Sequence, residues 1–143
     1  MIRHLILFAR LPAPDRRVLV EAVAFCTLAG LLIRLVRFRR LAHHLGTHMA
    51  VSPTKPDQAS RTQVGRIRWA IDAAARHLPW HPVCLPQAVA AQWMLRRRSI
   101  PSTLYLGADP SRDYDAHAWV RAGTTIVTGG PDNDRFTVVS SFA

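Results

Sequence analysis

The sequence predicts an α+β fold, with helices first and an antiparallel sheet after them. Three observations carry this. Up to about residue 98 the apolar residues recur at spacings of three and four, the period of a helix with one buried face. From residue 101 onward they alternate instead, in short runs bounded by Gly, Pro, Asp and Asn, as strands do. The helical pattern comes first and an antiparallel meander after it, an order that implies α+β. With 143 residues, 49% of them hydrophobic, the chain is long enough to bury one core and too apolar to be disordered by composition.

Taken in order, residues 1–11 read as a short strand or the start of a helix. The breaker "LPAPD" follows, with Asp15 placed to cap a helix. Residues 16–45 form one long helix or two, stopped by Gly46. "THMAVSPTKPDQAS" (47–60) is polar, carries two prolines and reads as a linker or exposed loop. Ser60 and Thr62 can cap the next helix, in which Val64, Ile67, Ile71, Ala74, Ala75 and Leu78 share a face and which Pro79 ends. A further helix runs over 84–98, and Pro86 is tolerated in its first turn because that N–H has no partner there. "PSTLYLGA", "AHAWVRAG", "TTIVTGG" and "RFTVVSSF" are four strands in a meander, the last entered through the turn "PDND". In the first of them Leu104 and Leu106 point one way and Thr103, Tyr105 and Gly107 the other. The composition divides the chain into an N-terminal helical segment, 1–50, suited to docking a partner, and a core, 51–143.

The formal net charge is +10, spread along the chain, with one Lys against eighteen Arg. That balance suits an acidic partner without choosing one. No RNP-like run, zinc-finger spacing or basic zipper points to nucleic acid. Cys26 and Cys84 lie in segments of different character, so no disulfide framework is predicted, and two free thiols suit the cytoplasm. No metal-ligand spacing appears either; His43, His44 and His48 read as an exposed helix end. The apolar run Val18 to Ile33 is interrupted by Glu21 and is shorter than the ~20 residues a spanning helix needs. It reads as a buried or partner-facing helix, with peripheral membrane contact as the minor alternative.

The chemistry centres on "PVCLPQAVAAQWMLRRR" and on "DAHAWV" further on. Cys84 stands at the start of a helix, where unpaired N–H groups favour thiolate over thiol and can later hold an oxyanion. A histidine on a strand packed across that helix start, His117, can take the thiol proton. A carboxylate orienting the ring completes such a site. The same residues also fit a buried structural thiol and a half-exposed strand histidine.

"CLPQAVAAQWMLRRRSIPSTLYLG" followed by "YDAHAWV" resembles the transglutaminase-like cysteine protease of lasso-peptide biosynthesis, the leader-peptidase part of the B protein. The similarity runs from about Val64 to Phe142, with a looser one in "LLIRLVRFRRLAHHLG". It implies a reduced papain/transglutaminase-like core with Cys84 as nucleophile and His117 as base, needing no cofactor or metal. It also implies removal of the leader from a precursor peptide, beside a macrolactam synthetase that uses ATP. The chain is too short to hold the family's leader-recognition domain, so a separate recognition protein is expected. The triad acid is expected about a dozen residues after the histidine. Gly129 stands there, so Asp132 is the choice and Asp134 the second. Trp80 and Trp119 could wall the cleft, and Gln87 could help hold the oxyanion. Two rival readings use the same residues: a non-catalytic transglutaminase-like module that presents the precursor, and acyl transfer to an amine instead of water.

Overall fold

The computed structural model describes residues 8–55, 58–113 and 115–143. The expectation for residues 1–11 lies largely outside them. Among the described residues, residues 8–9 are helical, and α1 (Ala13–Leu35), α2 (Phe38–Ala42), α3 (Gln58–His77) and α4 (Cys84–Arg96) follow. Four antiparallel strands follow, β1 (Ser102–Asp109), β2 (Asp115–Ala122), β3 (Thr125–Thr128) and β4 (Thr137–Phe142). The fold is α+β as predicted, a helical layer on one face of a four-stranded sheet.

The residues 16–45 fold as two helices, because Val36 and Arg37 adopt extended backbone between them. The first helix starts at Ala13, with Pro12 at its cap. Asp15 therefore lies inside the first turn, and its carboxylate meets Arg66 of α3 at 3.1 Å. Gly46 does not end a helix. Its φ of 132° lets the chain pass where a Cβ would come within 2.6 Å of the Ala143 carbonyl. The stretch after it is not a free linker. Thr47 and Ala143 exchange both backbone hydrogen bonds, and Met49 N–H donates to Ser141, so 47–49 runs along the outer edge of β4. Ser52 then bonds the Thr103 hydroxyl through its backbone N–H at 2.8 Å and its hydroxyl at 2.7 Å.

The strands are not a simple meander. Their spatial order is β3-β2-β1-β4, so the chain leaves β3, turns through a short 3₁₀ helix at Asp132–Arg135 and crosses to the far side of β1. Pairing of β1 with β2 is regular from Ser102↔Ala122 to Asp109↔Asp115, whereas β1 and β4 slip register between Leu106 and Gly107.

The central helix is α4, on which α1 and α3 pack from one side and the sheet from the other. Residues 88–92, 94 and 95 are all buried, which a helix surrounded on every side requires. Three of them are alanines, Ala88, Ala90 and Ala91, and let the neighbouring elements approach closely. Ile67, Ile71, Met94, Leu95 and Leu104 fill the space between, each worth about 1.5–3 kcal/mol of transfer energy. Gln92, a fully buried amide on α4, is fully used. Its Nε2 donates to the Leu45 and Phe142 carbonyls and its Oε1 accepts from Ser102. This joins α4 to the sheet and to the chain after α2, with no unpaired amide. Arg98 locks the other seam: its guanidinium bonds Glu21 of α1 at 2.6 and 3.0 Å and the Met94 carbonyl at 2.9 Å.

Candidate active site

Cys84 is the first residue of α4. Among the described residues no side chain caps this helix start, where Val83 is the extended N-cap residue. Pro86 has no N–H, and the Gln87 N–H bonds the Val83 carbonyl. The helix start therefore offers the Cys84 and Leu85 N–H groups to a ligand oxygen. The thiol is half-buried. Gln87 does not face an oxyanion; its Nε2 donates to the Pro82 carbonyl at 2.6 Å and holds the turn leading into the helix.

The second free thiol, Cys26, is a contrast. It is fully buried in α1, and burial pushes its pKa up to about 11. A thiol of that kind is inert.

His117 sits in the first half of β2, opposite Gly107 of β1. Strand alternation decides its direction. Ala118, Val120 and Ala122 face the helices and belong to the central core. His117, Trp119 and Arg121 lie on the opposite face. There the His117 ring stacks on Phe136 at 4.7 Å and on Trp119 at 5.9 Å, and Trp119 stacks in turn on Tyr105 at 5.3 Å. Arg121 closes the row, bonding the Tyr105 hydroxyl and the Ser52 carbonyl. Gly107 is needed beneath this row, since a Cβ there would meet Trp119 and Phe136 within 3 Å. Trp119 is thus a filled position of the outer face, and Trp80 is exposed on the chain leading to Cys84.

The ring nitrogen His117 Nε2 bonds the Gly129 carbonyl at 2.8 Å. A carbonyl only accepts, so Nε2 carries the proton and Nδ1 keeps its lone pair, the tautomer a general base needs. Gly129 is the residue twelve beyond His117, the position at which a carboxylate was expected. Its φ is +98°, that of Gly130 is +73°, and a Cβ on Gly129 would lie 2.3 Å from the Trp119 Cβ. The double glycine therefore curls the chain back over Trp119 and presents a backbone oxygen where a side chain cannot fit.

Asp132 and Asp134 are exposed in the 3₁₀ turn that follows. Among the described residues neither forms a hydrogen bond or ion pair with His117. Asp109 is committed elsewhere: its carboxylate accepts from the Ser111 hydroxyl and N–H, which hold it below the usual carboxylate range. Asn133, between the two turn acids, is buried and donates to the Gly130 carbonyl at 2.7 Å. Among the described residues its Oδ1 and the Thr128 hydroxyl are buried without partners, on either side of the double glycine. Neither Asn133 nor the Gly129 carbonyl is a candidate on the sequence reading above, although "GGPDND" holds both.

α4 packs on β2, but on the face that carries Ala118, Val120 and Ala122; His117 lies on the opposite face, so the ring is not set across the helix start as the sequence suggests. Among the described residues no hydrogen bond joins the thiol to the ring, and no three His, Cys, Asp or Glu side chains gather as a metal site requires. A cavity of about 70 Å³ between Pro53, Val64, Ile100 and Ala122 contains neither residue.

Residues 27–141 match the family model of the transglutaminase-like superfamily. Comparison with curated proteins and with solved structures gives no match.

Proposed function

Because the chain belongs to the transglutaminase-like superfamily, which includes cysteine proteases, we propose that it is a cysteine peptidase that removes the leader from a lasso-peptide precursor. Its partners in this reading are a separate leader-recognition protein and an ATP-dependent macrolactam synthetase, and its compartment is the cytoplasm. The observation that carries the reading is Cys84 at an uncapped helix start with two backbone N–H groups beside it. The "AHAWV" strand, with a histidine already held in the basic tautomer, supports it.

The Cys84 thiol gives its proton to His117 Nδ1, and the sulfur attacks the carbonyl at the leader–core junction. The Cys84 and Leu85 N–H groups hold the oxyanion. The C–N bond breaks, the imidazolium protonates the departing amine of the core peptide, and the leader remains as a thioester. Water, deprotonated by the same imidazole, adds to the thioester and releases the leader carboxylate and the thiol. The step requires ring and sulfur to meet in the bound state around the open end of β2, where β3 does not pair, because His117 lies on the sheet face opposite α4 and, among the described residues, no hydrogen bond joins the two. The Gly129 carbonyl orients the ring in place of a carboxylate. Asp132 is the reserve for that role, if the 3₁₀ turn moves on binding.

The test is leader removal by purified chain, recognition protein and precursor, followed by mass spectrometry. Cys84→Ala is expected to abolish product while leaving the fold and partner binding unchanged. Asp132→Asn is expected to cost less than tenfold. Full cleavage by the Cys84→Ala chain would end the proposal, and a product carrying the amine of another molecule would turn it to acyl transfer. A second reading, a module that presents the precursor without cutting it, draws on the absence, among the described residues, of a sulfur–imidazole bond and of a carboxylate on the ring. It expects no turnover from any variant and unchanged precursor binding by Cys84→Ala.

A further inference from the structure

The face of α1 that points away from α3 and α4 is apolar along its length. Its exposed positions run Val20, Ala24, Leu28, Leu31 and Leu35, at spacings of four, four, three and four, which is a straight stripe on a helix. Leu28, Leu31 and Leu35 are 44%, 51% and 79% exposed. The helix is 23 residues long; its most apolar 18-residue window has a mean hydropathy of 2.1, and only 22% of that window is buried. Glu21, the acid within it, is turned inward onto Arg98. Arginines bound the stripe at both ends, Arg17 before it and Arg34, Arg37, Arg39 and Arg40 after it, all exposed and none in an ion pair among the described residues.

We propose that this face lies flat on an anionic lipid surface, with the leucines in the acyl boundary and the arginines on the headgroups. Three features select lipid. A second copy is disfavoured by charge: parallel pairing sets the Arg34–Arg40 group on itself, and antiparallel pairing sets Arg17 on that group. The stripe is purely aliphatic, without the Trp, Tyr or Met that anchor protein interfaces. A flat aliphatic band flanked by cations, with no exposed acid on it, matches the layered chemistry of a bilayer surface. The helix lies on the surface and does not span, because its opposite face is packed into the core through Ala22, Cys26 and Ala29.

The experiment is co-sedimentation of the full chain with vesicles, either phosphatidylcholine alone or phosphatidylcholine with 30% phosphatidylglycerol (about three in ten lipids anionic, a composition that probes the headgroup charge directly). The chain is expected to bind the anionic vesicles at least tenfold more tightly, and 0.5 M salt (a Debye length of roughly 4 Å) is expected to release most of it. Leu28→Glu with Leu31→Glu changes exposed positions only and is expected to abolish binding with an unchanged circular dichroism spectrum. Arg37→Gln with Arg40→Gln is expected to reduce the preference for anionic lipid. No binding to either vesicle, or equal binding by the glutamate variant, overturns the proposal. A concentration-dependent dimer that the glutamate variant abolishes also overturns it, by assigning the stripe to a second copy. None of these readouts depends on peptidase activity.

Discussion

The two faces of the sheet are built from the same strands and do different things. Toward the helices β2 presents Ala118, Val120 and Ala122, small or branched apolar groups that interlock with the alanines of α4. On the other face the alternate residues, His117, Trp119 and Arg121, join Tyr105 and Phe136 in a row of stacked rings held by polar contacts. The helix-packed face has only shape to offer and is bound to stability. The outer face carries donors, acceptors and a titratable ring, so it can be altered at smaller cost to folding and larger cost to chemistry. The difference teaches that one strand can specify a core and hold a reactive group, because its period of two separates them.

The comparison is most sharply broken from the core side. Leu104→Ala empties a fully buried position facing α4 and is expected to cost about 2–5 kcal/mol in urea unfolding, with turnover per folded molecule unchanged. Loss of stability below 1 kcal/mol would mean that the helix–sheet seam is looser than its burial implies. On the outer face, Gly129→Ala forces a Cβ against Trp119 at a φ of +98°. About 1–3 kcal/mol of strain is expected there. The larger effect should be on rate, because the carbonyl that orients His117 must move. A variant with normal stability and normal turnover would show that this carbonyl does not position the ring.

A third contrast uses the two thiols. Cys26 is pushed up from an ordinary 9.0 to about 11 by burial. Its folded-state value lies above its unfolded one, so its contribution to stability is complete below pH 9 and is lost as pH rises toward 11. In that window the unfolded chain releases the proton first. Stability should fall by up to about 1.4 kcal/mol per pH unit, and Cys26→Ala should remove that slope. An identical slope in the alanine variant would place the alkaline loss elsewhere.

How much of this was legible in the sequence differs by feature. The helices and strands announced themselves through their periods, and so did the two faces of β1, with Leu104 and Leu106 set against Thr103, Tyr105 and Gly107. Which face of β2 meets α4 was hidden: the sequence suggests His117 across the Cys84 helix start, and the structure puts it on the opposite face with Trp119. Strand order was hidden, because no local pattern records that β4 crosses to β1. Asp15 looked like a cap because its side chain suits that place, yet Pro12 starts the helix three residues earlier and frees Asp15 for Arg66. The partner of His117 was hidden for a different reason. A backbone carbonyl has no residue identity, and the sequence marks the place only by the pair Gly129-Gly130, which take the positive φ that curls the chain back.

The central claim is that sulfur and imidazole act as one unit, and a double-mutant comparison of leader-cleavage rates tests it most directly. The prediction is that Cys84→Ala, His117→Ala and the double variant all fall to the same residual rate, as members of one catalytic unit do. A His117→Ala chain that cleaves at the wild-type rate, or losses that simply multiply in the double variant, would contradict it.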